Sequence, residues 1–246
     1  MTRLPMKVNS KSKNAMTQLE MKKYILHCLE ENNLDDVVSF VQKERKTLSL
    51  LIRMAYDKDT LVGWRAIKAV GRVAKALAGT NHEFLRIAVR KLLWSLSDES
   101  GGIGWAAPEL LGEIVSSDPE GFADIIPLIA EVYDIEEQTF RPGVVYALSR
   151  VAEVSPELIA SYQKIVIKSL IDTNPLVRIY AIELIGLLWP VACIKNLWSV
   201  EYQKKVQSII NNIKNDFGVA WIYYNDAFID VEVGYYASIT ANKLKN

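Results

Sequence analysis

Histidine and cysteine are scarce in this sequence, with two of each in 246 residues. Neither His27 nor His82 has a second histidine or cysteine three or four positions away, the spacing that puts two ligands on one helix face. No zinc site is therefore expected. The same scarcity leaves no Ser-His-Asp or Cys-His set to assemble, and no catalytic constellation or cofactor is assigned. Cys28 and Cys193 sit far apart in apolar, helix-patterned segments. They read as free thiols rather than a disulfide framework, which fits a reducing cytoplasm. Net charge is missing too: 29 Lys and Arg balance 29 Asp and Glu. A neutral chain offers no global field to draw in nucleic acid or an anionic membrane. No uncharged apolar run approaches the length that spans a bilayer, so no membrane partner is expected. The opening MTRLPMKVNSKSKNAM lacks the apolar centre of a secretory signal. Residues 1–15 are expected to be a disordered tail, with Met16 available as an alternative start.

What the sequence has is apolar content, 50% of its residues, and a period. Four stretches align in one register: DKDTLVGWRAIKAVGRVAKAL from Asp57, DESGGIGWAAPELLGEIV from Asp98, EEQTFRPGVVYALSRVAEV from Glu136 and DTNPLVRIYAIELIGLLW from Asp172. Val62, Ile103, Phe140 and Val177 share a column, as do Ala66, Ala107, Val144 and Ala181. Gly71, Gly112, Ser149 and Gly186 close the pattern at spacings of 41, 37 and 37. Apolar or small residues at i, i+4, i+7 and i+8 make one helix face, and the small ones let a neighbouring helix come close. A second amphipathic segment precedes each copy, roughly Leu48 to Tyr56, Glu83 to Leu96, Gly121 to Tyr133 and Pro156 to Ile171. Each unit is thus a helical hairpin that must stack on its neighbours to bury its face.

The segment DTNPLVRIYAIELIG, with Asp172, Pro175, Val177, Arg178, Ala181 and Leu184, resembles the second helix of a HEAT repeat. The set as a whole resembles the HEAT-like repeats of the phycobilisome-lyase type, over about Leu48 to Trp189. The resemblance implies an all-α fold: an α-solenoid of HEAT-like helical hairpins. It also implies a ladder in which an aspartate meets the arginine six residues on in its neighbour. Here the arginine survives only as Arg141 and Arg178; Gly63 and Gly104 stand in the other two places, where the ladder is expected to be broken.

The three glycines Gly101, Gly102 and Gly104 raise a phosphate-loop reading, but no strand precedes them and no GK[ST] follows. Gly101 and Gly102 read as the turn between two helices. Gly104 beside Trp105, like Gly63 beside Trp64, places a bare backbone in a helix's first turn, where free N–H groups accept an anion or a close-packed partner.

The ends are less regular. Residues 16–46 are expected to form two capping helices, the second capped by Asp35 and running to about Lys43. A helix from Val200 to Ile213 follows the repeats, which cover about residues 47–189. Two apolar and aromatic runs then flank Asn225-Asp226, a pair suited to a two-residue hairpin turn. The expected hairpin joins Val219–Tyr224 to Ala227–Val233, with Ile222 opposite Ile229 and Ala220 opposite Val231. It should pack against the last helices. A helix from Gly234 to Lys243 echoes VRIYAIELI, and residues 16–246 are expected to form one domain.

Second helices of HEAT units line a concave surface. The residues there that core packing does not obviously demand are Trp64, Arg65, Trp105, Glu109, Arg141, Tyr146, Arg178 and Tyr180, with Glu183. Tryptophan, tyrosine and arginine are the usual hot-spot types. Each tryptophan reads equally well as a wedge between repeats. Glu109 and Glu113, four apart, form either a solvated stripe or acceptors for a cationic group. Arg72 and Arg150 share a column and read as covering the stack with their aliphatic stems. The expectation from these residues is a non-enzymatic scaffold that binds a protein or peptide in its concave groove, with self-association through the aromatic ribbon open. The resemblance adds a bilin lyase or chaperone acting on tetrapyrroles as an alternative. A DNA glycosylase built on HEAT-like repeats is another, with Trp105 and Glu109 at a lesion, though it needs a basic face.

Overall fold

The computed structural model describes residues 16–96, 105–135 and 138–244. The readings placed on Met1–Ala15, Asp98, Gly101, Gly102, Ile103 and Gly104 lie outside these residues.

Thirteen α-helices are formed among the described residues: α1 (Gln18–Glu30), α2 (Leu34–Lys43), α3 (Leu48–Met54), α4 (Leu61–Leu77), α5 (His82–Leu96), α6 (Ala107–Val115), α7 (Ile126–Ile135), α8 (Arg141–Ala152), α9 (Pro156–Ile159), α10 (Gln163–Leu170), α11 (Pro175–Ile194), α12 (Val200–Asn212) and α13 (Val233–Lys243). They stand in two layers. α2, α4, α6, α8, α11 and α13 pack each on the next as an inner row, and the remaining helices pack behind them. This is an α-solenoid of HEAT-like hairpins, and α13 extends the row by one member.

Local chemistry places the helix starts. Thr17 and Glu20 close a capping box on α1. The Thr60 hydroxyl accepts from the Gly63 N–H at 3.1 Å to open α4. Asn174 caps α11, and Pro175 occupies its first position, where a missing N–H costs nothing. The cap of α2 is Asn33, whose side chain accepts from the Asp36 N–H, rather than the expected Asp35. The small column does what its size suggests: Ala66, Ala107, Val144 and Ala181 have no exposed surface. Gly63 is required for a different reason. A Cβ there would lie 1.8 Å from the Asp57 carbonyl oxygen, so the chain before α4 folds directly onto the helix backbone.

α11 is long and apolar enough to cross a bilayer by length and composition alone, although Arg178 and Glu183 interrupt its apolar run. Its apolarity serves the stack instead: Ile179, Ile182, Leu184, Ile185 and Leu188 are completely enclosed.

After α12 the chain forms β1 (Val219–Tyr224) and β2 (Ala227–Glu232), antiparallel, with Ala220 opposite Val231 and Ile222 opposite Ile229 as expected. Asn225 and Asp226 have φ of 49° and 63°, the two positive values a two-residue turn of this hand needs. α13 begins at Val233, directly after β2. The hairpin packs on α11 and α13 at its root, but it does not stop there. Its tip reaches back along the inner face to α4 and to the turn between α1 and α2.

Candidate functional site

The inner face is built from one stripe of each inner helix. α4 contributes Trp64, Lys68 and Arg72; α6 contributes Glu109 and Glu113; α8 contributes Tyr146 and Arg150; α11 contributes Tyr180. In an open solenoid this stripe meets solvent. Here every residue of α6 is buried, and so is every residue of α8 from Pro142 to Ser149. The expectation that core packing leaves Trp64, Glu109, Tyr146 and Tyr180 uncovered is therefore corrected: all four are buried, Trp64 to 6% exposure. The β1–β2 hairpin lies over part of them.

The contact begins with aromatics. Tyr223 of β1 stacks on Trp64 at 5.3 Å, with the rings 2° from parallel. Trp64 meets the ring of Tyr146 edge-on at 5.3 Å, and Tyr146 tilts against Tyr180 at 5.7 Å. Such pairs add about 0.5–1.5 kcal/mol each beyond their area. Beneath this row lies a charged layer. The Lys68 ammonium donates to Glu113 Oε1 at 2.9 Å and to the Tyr146 hydroxyl at 2.5 Å. Tyr146 donates to the same carboxylate oxygen at 2.6 Å, and Arg150 Nε donates to it at 3.0 Å. Burial, then the Glu113 carboxylate, pushes the Tyr146 hydroxyl well above its ordinary value, so it stays a donor. Among the described residues Glu109 takes one hydrogen bond, from Lys58 at 2.7 Å, on Oε1, and its Oε2 is buried without a partner. Both carboxylates sit where a glycine leaves room. A Cβ on Gly71 would lie 2.2 Å from Glu113 Oε2, and one on Gly143 would lie 2.5 Å from Glu109 Oε2. Gly143 is in the first turn of α8, where the helix dipole favours a negative group. Glu109 and Glu113 thus form no solvated stripe; they accept from cations of this chain.

Arginines tie the edges. Arg65 grips Asp226 at the hairpin tip through Nε at 2.6 Å and Nη2 at 2.8 Å. Its Nη1 donates to the carbonyls of Leu29 and Glu30, at 2.9 and 2.7 Å, at the end of α1. Asn32 adds a hydrogen bond to Asp226 at 2.9 Å. Arg178 repeats this arrangement, with Asp216 at 2.7 and 3.0 Å and the carbonyls of Asp172 and Thr173 at 2.6 and 3.0 Å. Arg141 donates to Asp172 of the following unit at 3.1 Å, one rung of the expected ladder. At Gly63 no such side chain exists, and the neighbouring Lys58 crosses to Glu109 instead.

Trp105 stands apart. It precedes α6 rather than lying on it, is 44% exposed, and has Phe140 as a ring neighbour at 6.3 Å. Sequence reasoning missed Lys68, Tyr223 and Asp226. One signal was present for the charged layer: Glu113 and Arg150 share a column with opposite sign and do pair, whereas Arg72 of the same column pairs with Asp35 at 3.0 Å. Among the described residues no group of three or more His, Cys, Asp or Glu is placed to hold a metal ion.

The hairpin contact makes a testable latch. Asp226→Asn keeps the turn, since asparagine tolerates positive φ, and removes the charge. It is expected to speed amide exchange across β1 and β2 by about tenfold while α8 and α11 keep their protection. Arg65 holds the Asp226 carboxyl below its ordinary value. The latch is therefore complete above the usual aspartate range, about pH 3.9, and weakens as pH falls through the lowered value. Unchanged exchange in the variant at neutral pH would show that the ion pair does not hold the tip.

No family model matches this chain. It is 31% identical over 109 residues to an uncharacterized protein of Archaeoglobus fulgidus, an alignment covering 43% of this chain and 54% of that one. The chain thus spans about half the length of this relative. The crystal structure of an engineered protein aligns with 94% of this chain and 93% of its own length at a TM-score of 0.54 and 14% identity, a likeness of fold. A designed armadillo repeat protein aligns over 94% of this chain and 96% of its own at 16% identity and a TM-score of 0.48.

Proposed function

We propose that the protein is a non-enzymatic scaffold that binds a protein or peptide on the inner side of its solenoid, through the outward aromatic face of the hairpin and α13. The observation that carries this reading is a cluster of exposed apolar side chains. Tyr224, Ile229, Tyr235 and Ile239 line one hollow of about 890 Å³, with Tyr235 65% exposed. Trp221, on the hairpin's other face, is 50% exposed and stacks on Phe228 at 3.9 Å. Large apolar groups gathered on a surface mark an interaction site. A stacked ring is already ordered, so less entropy is lost when a partner covers it. Glu183, Asp230, Glu232 and Lys243 edge the hollow with the polar rim that such sites carry.

In this reading Trp64, Arg65, Tyr146 and Tyr180 support the hairpin from beneath. Arg141 and Arg178 brace neighbouring units, and Trp105 remains a separate exposed contact. Most polar groups of the inner face are taken up by one another, Glu109 Oε2 excepted. Neither a tetrapyrrole site nor a lesion pocket has an observation that favours it: Arg65, Lys68 and Arg150, the cations a nucleic acid would need, are each held by a carboxylate.

The test uses the double variant Tyr224→Ser, Tyr235→Ser, both exposed positions that line the hollow, as bait in affinity capture from a native extract. A partner retained by the wild type is expected to be lost, with thermal melting unchanged. Equal recovery by both baits would remove the hairpin face as the site. Sedimentation of the purified chain separates a second copy from a foreign partner.

A further inference from the structure

On the opposite, outer side of the solenoid, α3 and α5 are successive outer helices of very different length. α3 has seven residues and α5 fifteen. The facing sides of α3, with the turn before it, and α5 enclose an open trough of about 720 Å³, lined from Arg45 to Tyr56 on one side and from Phe84 to Ser95 on the other. Leu48, Ala88 and Leu92 form its recessed floor, and Phe84, Ile87 and Trp94 rise along one wall. Its rim is basic. Arg45, Lys46, Arg53 and Lys91 line it, and among the described residues no carboxylate does. Among the described residues, Arg45, Arg53 and Lys91 have no carboxylate within ion-pair distance, while Lys46 meets only Glu44 at 3.4 Å. The other arginines of α5 behave differently: Arg86 is held by Asp124 and Arg90 by Glu83. In a chain whose charges balance overall, an apolar trough edged by four cations is a local feature.

We propose that this trough seats an acidic amphipathic helix of a partner protein. Two helices that stand apart make a groove into which the ridge of a third fits, with anchors at i, i+3 or i+4 and i+7. Those anchors meet Leu48, Ala88 and Leu92, and flanking carboxylates meet Arg53 and Lys91. The chain's own residues 1–15 have the wrong sign, with Arg3, Lys7, Lys11 and Lys13 and no acid. A flat bilayer does not reach a floor that lies between two helices. The site is separate from the hairpin face, so either reading stands or falls alone.

The probe is a designed helical peptide with leucines at the anchor spacing and glutamates beside them, against a twin carrying lysine for glutamate. Binding is read by anisotropy of a dye on the peptide. The acidic peptide is expected to bind, the basic twin to bind at least about tenfold more weakly, and added salt to weaken the complex. Arg53→Glu with Lys91→Glu, both at exposed positions, is expected to reverse the preference between the two peptides, which a general loss of folding would not do. Equal binding of both peptides, no binding of either, or acidic-peptide binding untouched by the charge reversal overturns the proposal. So does attachment to phosphatidylserine vesicles without peptide binding.

Discussion

Replacing Glu113 with alanine is expected to destabilise the protein by about 1–3 kcal/mol, because it leaves the buried Tyr146 hydroxyl and the half-buried Lys68 ammonium without their acceptor, while Arg150 keeps Glu153. Three donors converge on one oxygen of this carboxylate, from Lys68, Tyr146 and Arg150, and the side chain is 3% exposed. The comparison that identifies the cause is a triple change, Glu113→Leu with Lys68→Met and Tyr146→Phe, which leaves Arg150 with Glu153. Removing the acceptor together with these two donors takes away the desolvation cost along with the attraction, so the triple variant should lie much closer to the wild type than Glu113→Ala does. Glu113→Gln should fall between them, keeping the acceptor and losing the charge. Urea midpoints read all three. A triple variant as unstable as the single one would mean that the layer works through shape rather than charge.

The second large effect is at Gly112. Alanine in the middle of a helix is normally better than glycine by about 1 kcal/mol. Here the sign should reverse. A Cβ at this position would lie 2.4 Å from the Ala147 Cα and 2.7 Å from its Cβ, on the facing helix α8. The near atom belongs to the backbone, so no rotamer relieves the contact and α6 must move away from α8. Overpacking of this kind costs about 1–3 kcal/mol, occasionally more, and outweighs the gain in propensity. Ala147→Gly in the same chain should recover only part of the loss, because the Cα remains. A Gly112→Ala protein that melts at or above the wild-type temperature would contradict the packing.

Those two residues also show what kind of information a sequence of this type holds. The closing column of Gly71, Gly112, Ser149 and Gly186 is readable because stacked helices demand small residues at a repeated place. The reasons behind the column differ and cannot be read. Gly112 admits a backbone, Gly71 admits the Glu113 carboxylate, and a Cβ on Gly186 would meet nothing within 4 Å. The hairpin register is readable for a local reason as well: Asn225-Asp226 sets the turn, and alternation sets the faces. Where the tip goes is not local. Nothing within Ala220–Val231 says that Tyr223 will find Trp64, or Asp226 find Arg65, since that depends on the curvature accumulated over every intervening unit. Trp64, Tyr146 and Tyr180 were recognisable as an inner row, but a row looks the same whether it waits for a partner or lies under the chain's own strand. The outer trough was invisible because it depends on the spacing between α3 and α5, which no local pattern records.

The grip of Asp226 on Arg65 and Asn32 changes how the molecule should come apart. An unclosed row of repeats frays, shedding terminal units in steps and surviving the loss of either end. Here the hairpin after α12 is bolted to the turn between α1 and α2, so helices far apart in the chain are tied across the inner face. The protein should therefore melt in a single transition in which α1 and the hairpin are released together.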